Sequence, residues 1–210
     1  MRSRNAYILL IIKVGLVKKL YGTLISFFFL AGCSSMTISD VSQSSPKLVL
    51  EKYFLGKTYA SGIFEDRFGN VRRQFTVDIE GTFDQNVLHL IEDFVFNDGE
   101  RETREWMIKK TGKYTYEGRA DDVIGVARGH SLGNTLNWRY DMRLKVGGSS
   151  VKVHFNDWMF LQPNGVLINK AMVSKLGVDI GRVTLAFTKT ADIDFTARLP
   201  DFYDIKPVAA

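Results

Sequence analysis

The segment LNWRYDMRLKV, residues 136–146, sets Leu136, Trp138, Tyr140, Met142, Leu144 and Val146 against Asn137, Arg139, Asp141, Arg143 and Lys145 in strict alternation. Successive side chains of a strand point to opposite faces, so this pattern commits the segment to a strand with one face in water and one in a core. QFTVDIE repeats the pattern through Phe75, Val77 and Ile79, SVKVHF through Val151, Val153 and Phe155, and RVTLAFT through Val183, Leu185 and Phe187. Turn signals at Gly69-Asn70, Asp98-Gly99, Thr111-Gly112, Gly147-Gly148 and Asn164-Gly165 punctuate the runs. Their spacing suits an antiparallel meander of about nine or ten strands. So many amphipathic strands cannot form an open sheet without exposing an edge and a greasy face. An antiparallel up-and-down barrel of the lipocalin type is the expected all-β fold, with a two-sheet β-sandwich as the alternative.

Only PKLVLEKYFLG, residues 46–56, reads as a helix. Pro46 or Lys47 can open it, Leu50, Tyr53 and Phe54 share a face, and Gly56 can end it. One short N-terminal helix is therefore expected.

The chain ahead of this helix has a different character. Residues 1–32 hold Arg2, Arg4, Lys13, Lys18 and Lys19, no acidic residue, and an apolar run ending in LAGC. This is the pattern of a secretory signal. Leu30-Ala31-Gly32-Cys33 is similar to the bacterial lipobox, which makes Cys33, the single cysteine of the chain, the expected lipidation site. The apolar run from Tyr21 to Gly32 is shorter than the roughly 20 residues of a membrane span. From Val17 onward the leader is already a complete lipoprotein signal, so Val17 is a second candidate translation start. The expected organisation is a signal peptide over 1–32, a lipidated Ser- and Thr-rich tether over 33–46, and a single barrel domain over 47–210. Two or more palmitate-type acyl chains on Cys33 would hold the domain firmly to a membrane. Ser34 follows the cysteine, where an Asp would commonly retain a lipoprotein at the inner membrane. An outer-membrane position facing the periplasm is expected.

Charge bears on partners once the leader is set aside. Its five basic residues account for the whole excess of 28 Lys and Arg over 23 Asp and Glu. The remaining chain is formally neutral, which offers no basic footprint for nucleic acid. No nucleic-acid partner is expected, and the protein partner is left open.

GHSLG, residues 129–133, spells the Gly-x-Ser-x-Gly of a nucleophile elbow. An elbow needs a helix after the serine and an acid and a histidine in chain order. Only His154 lies downstream, so the set would be Ser131, Asp141 and His154, with both partners inside strands. We read the stretch as a hairpin connection in which Gly129, Gly133 and Asn134 supply unusual backbone angles. An esterase using Ser131 stays as a remote alternative, and no catalytic residue or enzymatic activity is expected. His89, His130 and His154 stand far apart, and no H-E-x-x-H pattern occurs, so no metal is expected. No Gly-rich phosphate loop opens a helix, and no cofactor is expected.

Acidic residues on inner faces are the more informative feature. The phase of Leu88, Leu90, Phe94 and Phe96 turns Glu92 inward, and the phase of Val151, Val153 and Phe155 does the same for Asp157. An inward carboxylate is costly unless partnered. Arg72, Arg73 and Arg119 are the candidate partners. Phe75, Val77, Leu90, Trp138, Tyr140, Phe155 and Trp158 form the candidate apolar lining, with Glu92 and Asp157 as its polar groups. A packed core formed by the same side chains is the competing reading.

Taken together, GIFEDRFGNVRRQFTVDIEG, LIEDFVFNDGERETREWMI, ADDVIGVARG, NTLNWRYDM and FNDWMFLQPNGVLINKAMVSKLGVDIGRVTLAF resemble the bacterial lipoprotein family of domain of unknown function 3833. The resemblance covers nearly all of Ser61 to Phe187. It implies a lipid-anchored, lipocalin-like barrel in Gram-negative bacteria and carries over no catalytic residue. The expected function is a membrane-anchored periplasmic lipoprotein that binds or shields an apolar small molecule or lipid. A structural envelope lipoprotein that docks a partner without ligand is the alternative.

Overall fold

The computed structural model describes residues 36–38, 45–146 and 148–190. The signal peptide, Cys33, most of the tether and the C-terminal residues from 191 lie outside the described residues. By its contacts the chain divides into units of residues 1–36 and 37–210, and the fold described is that of the second.

The expected meander is present and closed. A four-residue helix α1 (Leu50–Tyr53) precedes ten strands: β1 (Gly56–Asp66), β2 (Val71–Asp84), β3 (Val87–Phe96), β4 (Arg101–Lys110), β5 (Thr115–Arg119), β6 (Val123–Leu132), β7 (Thr135–Val146), β8 (Ser149–Leu161), β9 (Leu167–Lys175) and β10 (Val178–Thr188). Each strand pairs antiparallel with its sequence neighbour, and β1 pairs with both β2 and β10. The ring has no free edge, so the sandwich alternative does not apply. Along β7, Leu136, Trp138, Tyr140 and Met142 are buried and Arg139 is exposed, as the alternation requires.

The two ends of the barrel differ. The β2–β3, β4–β5, β6–β7 and β8–β9 turns share one end with α1, which plugs it. A single helical turn is not stable alone, and this one is tied down around the ring. Leu48 N–H donates to the Gly133 carbonyl at 2.8 Å, and Ser131 Oγ donates to the Leu48 carbonyl at 2.9 Å. Glu51 takes an ion pair from Lys110 and a 2.8 Å hydrogen bond from Tyr116. Tyr53 donates to the Phe187 carbonyl at 3.0 Å, and Leu50 and Phe54 are each 3% exposed. Gly56, at φ +71°, turns the chain from the plug into β1.

The opposite end is the mouth, ringed by the β1–β2, β3–β4, β5–β6, β7–β8 and β9–β10 turns. The register breaks at Phe64/Glu65, Ile124/Arg128 and Asp179/Gly181 all fall on this side. Bulges bend their strands, and here they shape the rim.

One expectation fails at the plug end. Gly129 is a buried position inside β6 and adopts no unusual angle; of the three turn residues expected, Gly133 takes the positive φ, at 59°. Glycine is needed at 129 for a different reason: a Cβ there would lie 2.3 Å from Trp138 Cε3. The large Trp138 of β7 takes the space that a side chain on β6 would fill.

Ser131→Ala is expected to loosen the plug, at a cost of about 1 kcal/mol for one buried hydrogen bond. Gly129→Ala should cost about 1–3 kcal/mol through overpacking against Trp138. Urea unfolding followed by far-ultraviolet circular dichroism measures both.

Candidate functional site

Between plug and mouth the barrel encloses a cavity of about 830 Å³. Ten strands make a ring wider than the eight whose interior side chains can just fill, and large inward aromatics cover the wall without closing the lumen. Leu50 of α1 and Phe54, which caps it, form the floor. Tyr140 and Phe155 stack in parallel at 5.0 Å on β7 and β8. Trp106 of β4 meets Trp138 edge-on at 5.8 Å and Tyr140 at 5.5 Å. Nearer the mouth, Phe75, Phe94 and Phe96 cluster within 6.0 Å of one another, with the Arg73 guanidinium 3.5 Å over the Phe96 ring.

Of the residues singled out in the sequence, Phe75, Val77, Leu90, Glu92, Trp138, Tyr140, Phe155 and Asp157 all line this cavity. Trp158 does not. It pairs in register with Asn137 and Lys170, neighbours Asp157 in β8, and so points to the outer face, where it stacks on Phe160 at 6.4 Å. Its size suggested a lining residue, but the period of the strand decides the face.

The polar groups in the wall form two sets. The upper set centres on Arg104, whose Nε donates to Asp122 at 3.0 Å and whose Nη1 lies 3.9 Å from Glu92. None of the three expected arginine partners serves Glu92. Arg72 pairs with Asp66, Arg73 bridges Asp98 and Glu100 at the rim, and Arg119 reaches the Gly125 carbonyl. Arg104 was legible in RETREWMI, because it shares the phase of Trp106 and Ile108; cross-strand pairing then sets it opposite Glu92. Burial pushes the Glu92 carboxyl above its usual range, and Arg104 pulls the other way.

The lower set is Asp157, Asn169 and Tyr140, nearer the plug. Asp157 and Asn169 are each 4% exposed. Tyr140 Oη approaches Asp157 Oδ2 at 3.5 Å, while Asp157 Oδ1 and Asn169 Oδ1 have no protein partner. Burial raises the Asp157 pKa to about 7, against the hydrogen bonds of Asn169 and Tyr140 and the charge of Arg104, and with help from Glu92.

Ser131 lies on the inner face of β6 with its hydroxyl committed to the plug. Asp141 and His154 do pair, at 2.9 Å, but on the outer face of β7 and β8. The wall of the barrel separates serine from histidine, so the triad is not assembled.

A closed antiparallel meander around a ligand-sized, aromatic-lined lumen defines a lipocalin-like barrel. The chain belongs to the family described as protein of unknown function (DUF3833), whose model matches residues 27–189. Among solved structures, the S-type phycobiliprotein lyase CPES from Guillardia theta is similar in fold. It has a TM-score of 0.51 at 6% sequence identity, over 69% of this chain and 92% of that one. No functionally curated protein matches the chain.

A carboxyl whose pKa burial raises to about 7 links stability to pH. Below the ordinary value of 3.8 the proton is bound in folded and unfolded chain alike. As pH rises towards about 7 the unfolded chain releases it first, so stability falls across that window, and above it the fold carries the full cost of a buried carboxylate. Asp157→Asn should therefore leave stability little changed at pH 4 and raise it at pH 8.5, by on the order of a few kcal/mol. Urea unfolding of both proteins at the two pH values checks the sign and the window.

Proposed function

We propose that this protein is a lipid-anchored envelope lipoprotein whose barrel binds an apolar small molecule or lipid in its lumen. The observation that carries the reading is the cavity of about 830 Å³, walled by aromatic side chains and open at one end. Binding pockets for small molecules run from about 300 to 1,000 Å³ and are mostly apolar with a few placed polar groups. A barrel serving only as a scaffold would gain stability by packing its interior to native density, and this one leaves it open. That argues against the partner-docking alternative. The similar barrel of known structure is by name a phycobiliprotein lyase. At its low identity the likeness supports a shared fold, and the ligand reading rests on the lumen itself.

Attachment rests on the sequence. The basic, acid-free leader and LAGC before Cys33 support lipidation, and Ser34 supports an outer-membrane position facing the periplasm. The domain then acts as a carrier or shield, with no chemistry assigned to any of its residues.

Native mass spectrometry of the gently purified full chain is expected to show an added mass that is lost on denaturation. Ala171 faces the lumen between Asp157 and Val183, so Ala171→Trp should fill the cavity and lower the affinity by about tenfold, or about 1.4 kcal/mol, with the bound fraction falling accordingly. A clean ligand-free mass for the unaltered protein under gentle conditions would overturn the reading.

A further inference from the structure

The lower wall of the lumen says something about the ligand's chemistry. Asp157 on β8 and Asn169 on β9 are diagonal neighbours on the inner face, since Asp157 pairs with Ala171 and Met159 with Asn169. Both are more than nine-tenths buried, and each presents a carbonyl-type oxygen without a protein donor. Tyr140 Oη stands 3.5 Å from Asp157 Oδ2 and serves neither free oxygen, and Phe155, Met159, Ala171 and Leu185 around the pair carry no side-chain donor. Acceptors in a roomy polar site are hydrated in the free protein. A ligand that displaces this water without supplying donors loses affinity, and one that brings a donor recovers the hydrogen bonds.

Charge sharpens the preference. Glu92 and Asp122 share Arg104, and the other basic groups of the lining, Arg73, Arg143 and Lys145, lie towards the mouth, so no basic side chain forms an ion pair with Asp157 among the described residues. A cationic donor entering the lower half favours the ionised form of the Asp157 carboxyl and pairs with it.

We propose that Asp157 and Asn169 form an acceptor subsite that takes the donor group, an amine or a hydroxyl, of an otherwise apolar ligand. This rests on the lumen being a binding site and adds which part of the ligand is read, and by what. The apolar body lies along Trp138, Tyr140 and Phe155, and the donor sits below it, towards α1.

Three probes of nearly equal size separate the claims: methylnaphthalene, naphthylmethanol and naphthylmethylamine, titrated into the full chain and followed by quenching of Trp106 and Trp138 fluorescence. The expected result on the unaltered protein is that the alcohol and the amine bind about tenfold or more tighter than methylnaphthalene, with the amine tightest. In Asp157→Leu and in Asn169→Leu the advantage should shrink to about twofold while methylnaphthalene binding persists. Three equal affinities in the unaltered protein, or an advantage that survives both substitutions, would overturn the subsite and leave the lumen reading standing. Absence of binding by all three would overturn the lumen reading and the subsite with it. The comparison on the unaltered protein needs no variant, so a substitution that fails to fold does not remove the test.

Discussion

β1 hydrogen-bonds on both of its sides, to β2 through Gly56–Glu65 and to β10 through Tyr59–Asp66, and everything else in the molecule depends on that double pairing. Closure satisfies the last row of backbone donors and acceptors and removes the edge on which another chain could template. It also fixes a ring of ten strands, and with that number an interior too wide for ordinary side chains to meet across it. The cavity is thus a consequence of strand count.

A ring open at both ends would be a pipe. The four-residue α1 makes it a cup, and it is held there by contacts that reach β4, β5, β6 and β10 rather than by helical propensity. Ser131 belongs to this arrangement. Its hydroxyl, which the local spelling GHSLG would offer as a nucleophile, holds the backbone of the plug at Leu48. The polar groups of the lumen pull the other way. A packed apolar interior would be more stable than one holding Asp157 with an unpartnered oxygen. Local violations of good packing concentrate at functional sites, and in this barrel they line the lumen, where Asp122, Asp157 and Asn169 each keep an oxygen and Arg73 its Nε without a protein partner.

Much of this was legible from the period of the strands. The alternation in residues 136–146 assigned the inner face of β7, and the same rule turned Glu92 and Asp157 inward. Harder to read was the partner of Glu92 on the neighbouring strand. Arg104 lies on β4, whose RETREWMI run is dominated by charge, so its inner face shows only once Trp106 and Ile108 are taken as the reference. Asn169 hides for a similar reason, as a single polar residue between Leu167 and Ala171. Trp158 misled because hydrophobic size was weighed above strand period, and Gly129 because glycine was read as a backbone device when its role is to leave room for Trp138. Lumen size was beyond reach, since it depends on strand count, and a difference of one or two strands between similar runs decides whether a barrel is full or hollow.

The central claim is that the lumen is a binding site and not an accident of wide closure. The most direct measurement is a crystal structure of the gently purified full chain, examined between Trp138, Tyr140 and Asp157. Continuous density for a bound molecule is expected along the aromatic wall, with a polar atom within hydrogen-bond distance of Asp157 or Asn169. A lumen collapsed on its own side chains, with α1 displaced inward to fill it, would contradict the account.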